Sequence, residues 1–132
     1  MTGSPAVLPL LVFEAAGCLM AVPASEVARL EGADQLPISP EASTAFDLGE
    51  YFVGRASDGP WLHWDRGACS ARLRVMRVVD VVPIALSALS PMPAMLLGER
   101  RTRAFLAAGL SGEDVFLLLD PARLGAEARE PA

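Results

Sequence analysis

Few residues in this sequence are of the types that bind metals or act as nucleophiles. The chain has one histidine, His63, and two cysteines, Cys18 and Cys69, which do not form a CxxC pair. A lone histidine between Leu62 and Trp64 on a strand is more often structural than catalytic. A zinc site would need carboxylates to complete its ligands. We therefore expect no metal centre, and two buried, reduced thiols in a cytoplasmic protein rather than a disulfide.

Carboxylates that could work as an acid–base pair occur at two places, Glu113 with Asp114 and Asp58 with Asp65. All four lie in predicted turns, where acidic side chains are common because they favour turn conformations. The sequence also lacks a glycine-rich phosphate loop and the GxSxG and HExxH motifs of hydrolases. We expect a protein that is not an enzyme and that binds no cofactor.

Two other features are typical of protein contacts. Trp61 and Trp64 are three residues apart, so on a strand their side chains point in opposite directions. An exposed Trp64 beside a hairpin turn would anchor an interface, whereas the alternative is that both rings pack in the core. The basic cluster around Arg100 and Arg101 would dock on an acidic partner surface, or form a solvated turn that neutralises nearby acids.

The composition excludes several classes of partner. Of the 132 residues, 52% are hydrophobic and 20% are charged, which is typical of one ordered globular domain. The net charge of −5 argues against a nucleic-acid partner. The longest uncharged stretch, residues 81–98, contains three prolines. Because it falls short of the roughly 20 apolar residues that cross a bilayer, we expect no direct membrane insertion.

The elements that must position these residues are mostly short strands. The pattern predicts a hairpin in residues 6–22, a second that begins at Trp61, and a third around residues 112–114. Residues 72–84 predict a strand in which Val78 and Val79 break the alternation, which indicates a bulge or a strand buried on both sides. Short strands separated by turns every ~8–12 residues favour a small all-β barrel or sandwich.

Helices are predicted at three places, each from a capping residue. Ser25 would cap a helix over residues 26–31, in which Val27 and Leu30 pack inward. Asp47 would cap a helical turn over residues 48–52. Asp120 followed by proline predicts the start of a C-terminal helix.

The order of these segments resembles CheW-like domains. In residues 11–27, a strand, a glycine-containing turn and a second strand ending in Ala21, Val22 and Pro23 resemble the family's opening. Residues 73–81 resemble its LLVDRVxxV strand, with matches at Arg77, Val78 and Val81. Residues 84–93 and 109–120 resemble the loop and the closing hairpin that follow. The resemblance covers most of residues 10–124.

The resemblance implies an all-β fold of two small intertwined SH3-like barrels with short helices. Residues of about 7–54 with the C-terminal helix would form the first barrel, and about 60–120 the second. It further implies a non-enzymatic cytoplasmic adaptor of a chemosensory array, which binds a methyl-accepting chemoreceptor and a CheA-type histidine kinase or another CheW-like protein. Partner contacts are then expected at Val75, Arg77 and Val79.

The second barrel is expected to be complete. Its core should include Leu73, Val75, Val79, Val81, Val115, Leu117 and Leu119.

One family segment, GVxNLRGxxxPVxDL, is shortened here. Residues 37–40 run almost directly to Asp47 and Leu48, so roughly two strands of the first barrel are missing. We therefore expect weak or absent kinase binding. We also expect an open strand edge in residues 7–22 that forms a homodimer or receives a partner strand. A monomer with a contracted sheet is the alternative.

Two other functions are compatible with the sequence. A divergent CheW-like protein could bind the receptor or another CheW-like domain but not the kinase, and so modulate the array. A small ligand-binding β-barrel of unrelated ancestry would instead need a deep polar pocket.

Overall fold

The structure is a computed structural model that describes residues 6–32, 44–67, 69–91 and 104–124. The strands in these ranges are β1 (Val7–Ala15), β2 (Cys18–Pro23), β3 (Val27–Glu31), β4 (Thr44–Asp47), β5 (Trp61–Asp65), β6 (Ser70–Arg74), β7 (Arg77–Ala85), β8 (Ser90–Pro91), β9 (Phe105–Ser111) and β10 (Asp114–Leu119). Helical segments are α1 (Leu48–Val53), short 3-10 turns at Ala24–Glu26 and Leu86–Ala88, and residues 121–124. The predicted all-β class is confirmed.

The strands form two sheets that each combine distant parts of the chain. The six-stranded sheet has the order β7-β1-β2-β10-β9-β8, and the four-stranded sheet has the order β3-β5-β6-β4. β10 pairs with β2 in parallel, and β4 pairs with β6 in parallel. The N-terminal hairpin is therefore enclosed on both sides by strands from the second half of the chain.

β1 is apolar on both faces because both faces of its sheet are buried. Leu11 and Phe13 point into a cluster that joins the two sheets, whereas Leu10 and Val12 point into a second cluster on the opposite face. Alternate residues of a strand face opposite sides. The unbroken apolar run of residues 10–13 is therefore what a strand buried on both faces requires.

The three predicted hairpins are confirmed, in β1–β2, β5–β6 and β9–β10. The predicted cap of α1 is confirmed as well. The Asp47 carboxylate accepts the Glu50 N–H at 3.2 Å, and Gly54 ends the helix with a φ of 74°. Glycine is favoured at Gly54 because a left-handed residue with a Cβ is strained.

The predicted helix over residues 26–31 is wrong, because that segment is β3. Val27 pairs with Trp64 and Glu31 pairs with Trp61 across to β5. Ser25 is not a helix cap, since it lies inside the 3-10 turn Ala24–Glu26, which is preceded by Pro23. Leu30 is 50% exposed rather than packed inward. Pairing with β5 has overridden a local pattern that suited a helix equally well.

The predicted single strand over residues 72–84 is two strands that belong to different sheets. β6 lies in the four-stranded sheet, β7 lies in the six-stranded sheet, and the chain crosses between them at Val75 and Met76. The predicted bulge is confirmed. On β7, Asp80 pairs with Val12 and Val78 pairs with Phe13, so Val79 is the extra residue.

The division into two strands corrects part of the predicted core. Leu73, Val75 and Leu119 are fully buried, and Leu117 is half-buried. In contrast, Val79, Val81 and Val115 are 44%, 49% and 59% exposed. Val79 and Val81 lie on β7, the first strand of its sheet, and Val115 lies near the tip of the β9–β10 hairpin.

Two further predictions are wrong. Cys18 and Cys69 are free thiols as expected, but both are exposed rather than buried. Residues 7–22 do not carry an open strand edge, because β1 lies between β7 and β2, and β2 lies between β1 and β10. Most of the segment between β3 and β4 lies outside the described residues.

Candidate functional site

Two of the predicted contact residues belong to the core. Trp64 is 1% exposed and Val75 is 0% exposed, so neither side chain can reach a partner, and those predictions are corrected. The Trp64 indole N–H donates to Glu26 Oε1 at 2.8 Å, and the Arg66 guanidinium lies 4.9 Å from the centre of the Trp64 ring. Trp64 faces inward because it lies two residues after the buried Leu62, on the same face of β5.

The side chain of Arg66 bridges two carboxylates near Trp64. It contacts Glu26 at 3.2 Å and Asp120 at 3.2 Å. The hydrogen bond to Glu26 raises the pKa of the Arg66 guanidinium above its ordinary value. Since Asp120 precedes the last helical turn, Arg66 joins the four-stranded sheet to the end of β10.

Two other predicted contact residues are accessible. Arg77 and Val79 are exposed on β7, and Arg77 pairs with Glu14 of β1. Arg100 and Arg101 lie outside the described residues. Sequence reasoning missed Val81, which is 49% exposed and lies opposite Leu11. The signal that could have revealed it is Pro83, because proline within a strand indicates an edge.

We use the name β7 surface for five of the exposed residues of this strand and its neighbour β1: Val7, Arg77, Val79, Val81 and Pro83. Its aliphatic members are 44–52% exposed. Val81 lies beside Leu11 and Pro83 beside Pro9, so these two residues continue the face that the six-stranded sheet turns toward the shared core. Arg77 lies beside Glu14, on the opposite face of the sheet. An exposed apolar group of this kind is a candidate interface.

A cleft of about 610 Å³ lies where the turn between β1 and β2, α1 and the crossing from β6 to β7 meet. Its described lining residues are Ala16, Gly17, Gly49, Val53, Arg55, Ala56, Ser57, Asp58 and Met76. Val53 and Met76 are 53% and 48% exposed, and Arg55 and Asp58 carry the charges. Met76 lines the cleft and directly precedes Arg77, the first residue of β7.

One wall of the cleft is fixed by a single carboxylate. Asp47 accepts the Glu50 N–H that caps α1, and it also accepts the Ser57 N–H at 2.8 Å and 3.0 Å through its two oxygens. The Ser57 hydroxyl in turn accepts the Gly49 N–H at 3.3 Å. A Cβ on Gly49 would collide with the Arg55 carbonyl oxygen. The loop is therefore held close against the helix.

The opposite side of the same loop is equally close to the crossing between the sheets. A Cβ on Gly59 would collide with the carbonyl oxygens of Val75 and Met76. Arg74 donates to the Gly59 carbonyl oxygen at 3.3 Å. The cleft thus has a preformed shape, which lowers the entropy that binding must overcome.

His63 lies away from the cleft, in an ion-paired group on the four-stranded sheet. Its Nε2 is 2.8 Å from Glu31 Oε1, and Arg29 contacts the same carboxylate at 3.2 Å. Burial lowers the pKa of His63 below its ordinary value, and Arg29 and Arg72 act in the same direction against the opposing effect of Glu31. The arrangement ties β3 to β5 and is structural.

The predicted acidic pairs are not brought together for catalysis. Asp58 lines the cleft, whereas Asp65 accepts the Gly67 N–H at 2.7 Å within its own turn. Glu113 and Asp114 are exposed at the tip of the β9–β10 hairpin. In the described part of the chain, no three His, Cys, Asp or Glu side chains form a metal-binding group.

The helices within the described ranges are too short or too polar to cross a membrane.

Neither a protein-family model nor a curated protein sequence matches the chain. Among solved structures, it is similar to the scaffolding protein TtCheW from Thermoanaerobacter tengcongensis, with a TM-score of 0.68. The similarity covers 90% of this chain and 88% of that chain, at 16% sequence identity. The chain therefore has the CheW fold, as the sequence resemblance predicted.

Proposed function

We propose that this chain is a non-enzymatic, cytoplasmic adaptor of a bacterial chemosensory system, and that it binds a chemoreceptor. The fold supports the proposal, since a structure of the same fold is that of a scaffolding protein. The sequence motifs support it independently, because their order along the chain is that of CheW-like domains.

The observation that carries the proposal is the exposed apolar group of the cleft, whose lining residue Met76 directly precedes β7. Val53 and Met76 expose about half of their side chains beside a preformed wall, and Val79 follows on the adjoining strand. Arg55 and Asp58 line the same cleft and would give the contact its orientation. Among the described residues that line the cleft, Asp58 is accompanied by no second carboxylate and no histidine. A carboxylate without such a neighbour suits binding rather than acid–base catalysis.

The receptor is the first partner to test. We expect a soluble cytoplasmic fragment of a chemoreceptor from the same organism to bind the full chain in calorimetry. Met76→Asp and Val79→Asp should each weaken binding by at least about tenfold, because each introduces a charge into the apolar contact.

The matched control is Leu110→Asp. Leu110 is 59% exposed on β9, which lies toward the opposite edge of the six-stranded sheet from β7. Leu110→Asp therefore adds the same negative charge as the other two variants without touching the cleft or β7. It should leave the affinity unchanged. Equal loss in all three variants, or no receptor binding by the wild-type chain, would refute the proposal.

A second candidate is a modulator that binds the receptor or another CheW-like domain but not the kinase. The shortened segment before Asp47 supports it, because removing two strands removes part of any interface that used them, and stable interfaces bury about 1,200–2,000 Å². Calorimetry with the regulatory domain of a CheA-type kinase separates the two candidates. Submicromolar kinase binding would exclude the modulator.

A further inference from the structure

The free side of β7 presents unusually few backbone donors. β7 pairs with β1, and within the described ranges no strand lies on its other side. The strand spans nine residues, and an unprotected edge of that length is a template for pairing with another chain. Three neighbouring residues of β7 make it an exception.

The direction of the β7 amides follows from one hydrogen bond at the end of the pairing with β1. The Leu86 N–H donates to the Ala6 carbonyl oxygen at 3.0 Å, so it points toward the β1 side. Successive amides of a strand point to opposite sides. Between the bulge at Val79 and Leu86, even-numbered positions therefore point toward β1, and positions 81, 83 and 85 point to the free side.

Two of these three neighbouring outward positions, 81 and 83, offer no free N–H. The Val81 N–H is already bonded to the Asp80 carboxylate, whose Oδ1 accepts it at 2.8 Å. Pro83 has no N–H to donate. One step before them, Val79 is the bulge residue without a partner on β1, and a bulge twists an edge away from regular pairing.

We propose that Asp80 and Pro83 keep β7 closed to strand addition, so that copies of this chain do not pair through β7. A partner at β7 would then make its contact through side chains such as that of Val81 rather than by adding a strand. This deepens the proposed function, since it takes β7 as part of the partner surface. The closure of the edge does not depend on which partner binds.

The test opens the edge and measures self-association of the full chain. The variant Asp80→Ala with Pro83→Val frees the Val81 amide and adds a donor at position 83. The wild-type chain should not pair through β7. Sedimentation equilibrium over a concentration series should therefore show at least about tenfold tighter self-association in the variant than in the wild type. Hydrogen exchange should locate the new protection at residues 81 and 83.

The control separates backbone opening from charge. Asp80→Asn with Pro83→Val removes the same negative charge but keeps an amide oxygen that can accept the Val81 N–H. It should associate more weakly than the alanine variant. Should the double variants lose their fold, judged by circular dichroism, Asp80→Ala alone is scored by the same criteria.

The proposal is overturned if a folded alanine variant stays as monomeric as the wild type. It is also overturned if the wild-type amide of Val81 becomes protected as concentration rises. Loss of receptor binding would count against the proposed function only, because self-association is measured without the receptor.

Discussion

β6 and β7 are consecutive strands, yet they lie in opposite environments. Leu73 on β6 and Val75 just after it are fully buried, whereas Val79 and Val81 on β7 expose nearly half of their side chains. The difference arises at the crossing, where the chain leaves the interior of one sheet and joins the edge of the other. Residues with the same aliphatic character thus hold the fold together on one strand and remain available for binding on the next.

The largest expected effect contrasts Trp64 with Val81. Trp64→Ala removes a fully buried ring and its hydrogen bond to Glu26, and should lower the free energy of unfolding by about 3–5 kcal/mol. Val81→Ala should change it by less than about 0.5 kcal/mol, because the side chain is half exposed. Urea denaturation of both variants checks this; similar losses would contradict the assignment of core and edge.

The next effect is at the crossing itself. Gly59→Ala would place a methyl group against the carbonyl oxygens of Val75 and Met76. We expect a loss of about 1–3 kcal/mol in stability, since neither backbone can move freely. The control is Gly32→Ala, where a Cβ meets nothing within 4 Å. Thermal unfolding should show a lower midpoint for Gly59→Ala alone.

A smaller effect is expected from Asp47→Ala, which removes the cap of α1 and the anchor of Ser57. Loss of a helix cap lowers stability by about 1–2 kcal/mol. Because the same carboxylate holds the cleft wall, receptor affinity should also fall, while hydrogen exchange of the Ser57 amide rises. Unchanged exchange at Ser57 would show that the loop is held by other contacts.

The smallest effect is the pH dependence caused by His63. Its pKa is lowered in the folded chain, so the unfolded chain binds a proton more readily as pH falls below the ordinary value of 6.5. Stability contributed by neutral His63 is therefore present above that pH and decreases below it. His63→Gln should remove this component from the pH profile of the urea midpoint. An identical profile in the variant would exclude His63 as its source.

The sequence predicted the hairpins, the α1 cap and the bulge at Val79 because these depend on neighbouring residues. It did not predict that residues 27–31 form a strand, since the pairing partner β5 lies more than thirty residues away. Burial was misassigned on β7 for the same reason: alternation along a strand indicates two faces but not whether the strand lies at an edge.

The candidate site was predicted only in part. Arg77 and Val79 came from the family resemblance and are accessible, whereas Trp64 was chosen for its residue type and proved to be core. The cleft combines three separate segments of the chain, at residues 16–17, 49–58 and 76. No local pattern in the sequence marks such a combination, because only the packing of α1 against the crossing brings these segments together.

The most direct test of the account is hydrogen exchange of the full chain with and without a chemoreceptor fragment at saturating concentration. The account predicts added protection in residues 53–58 and 76–82, with no change in β3 or in the tip of the β9–β10 hairpin. Protection confined to β3 or to that tip, with the cleft and β7 unaffected, would contradict it.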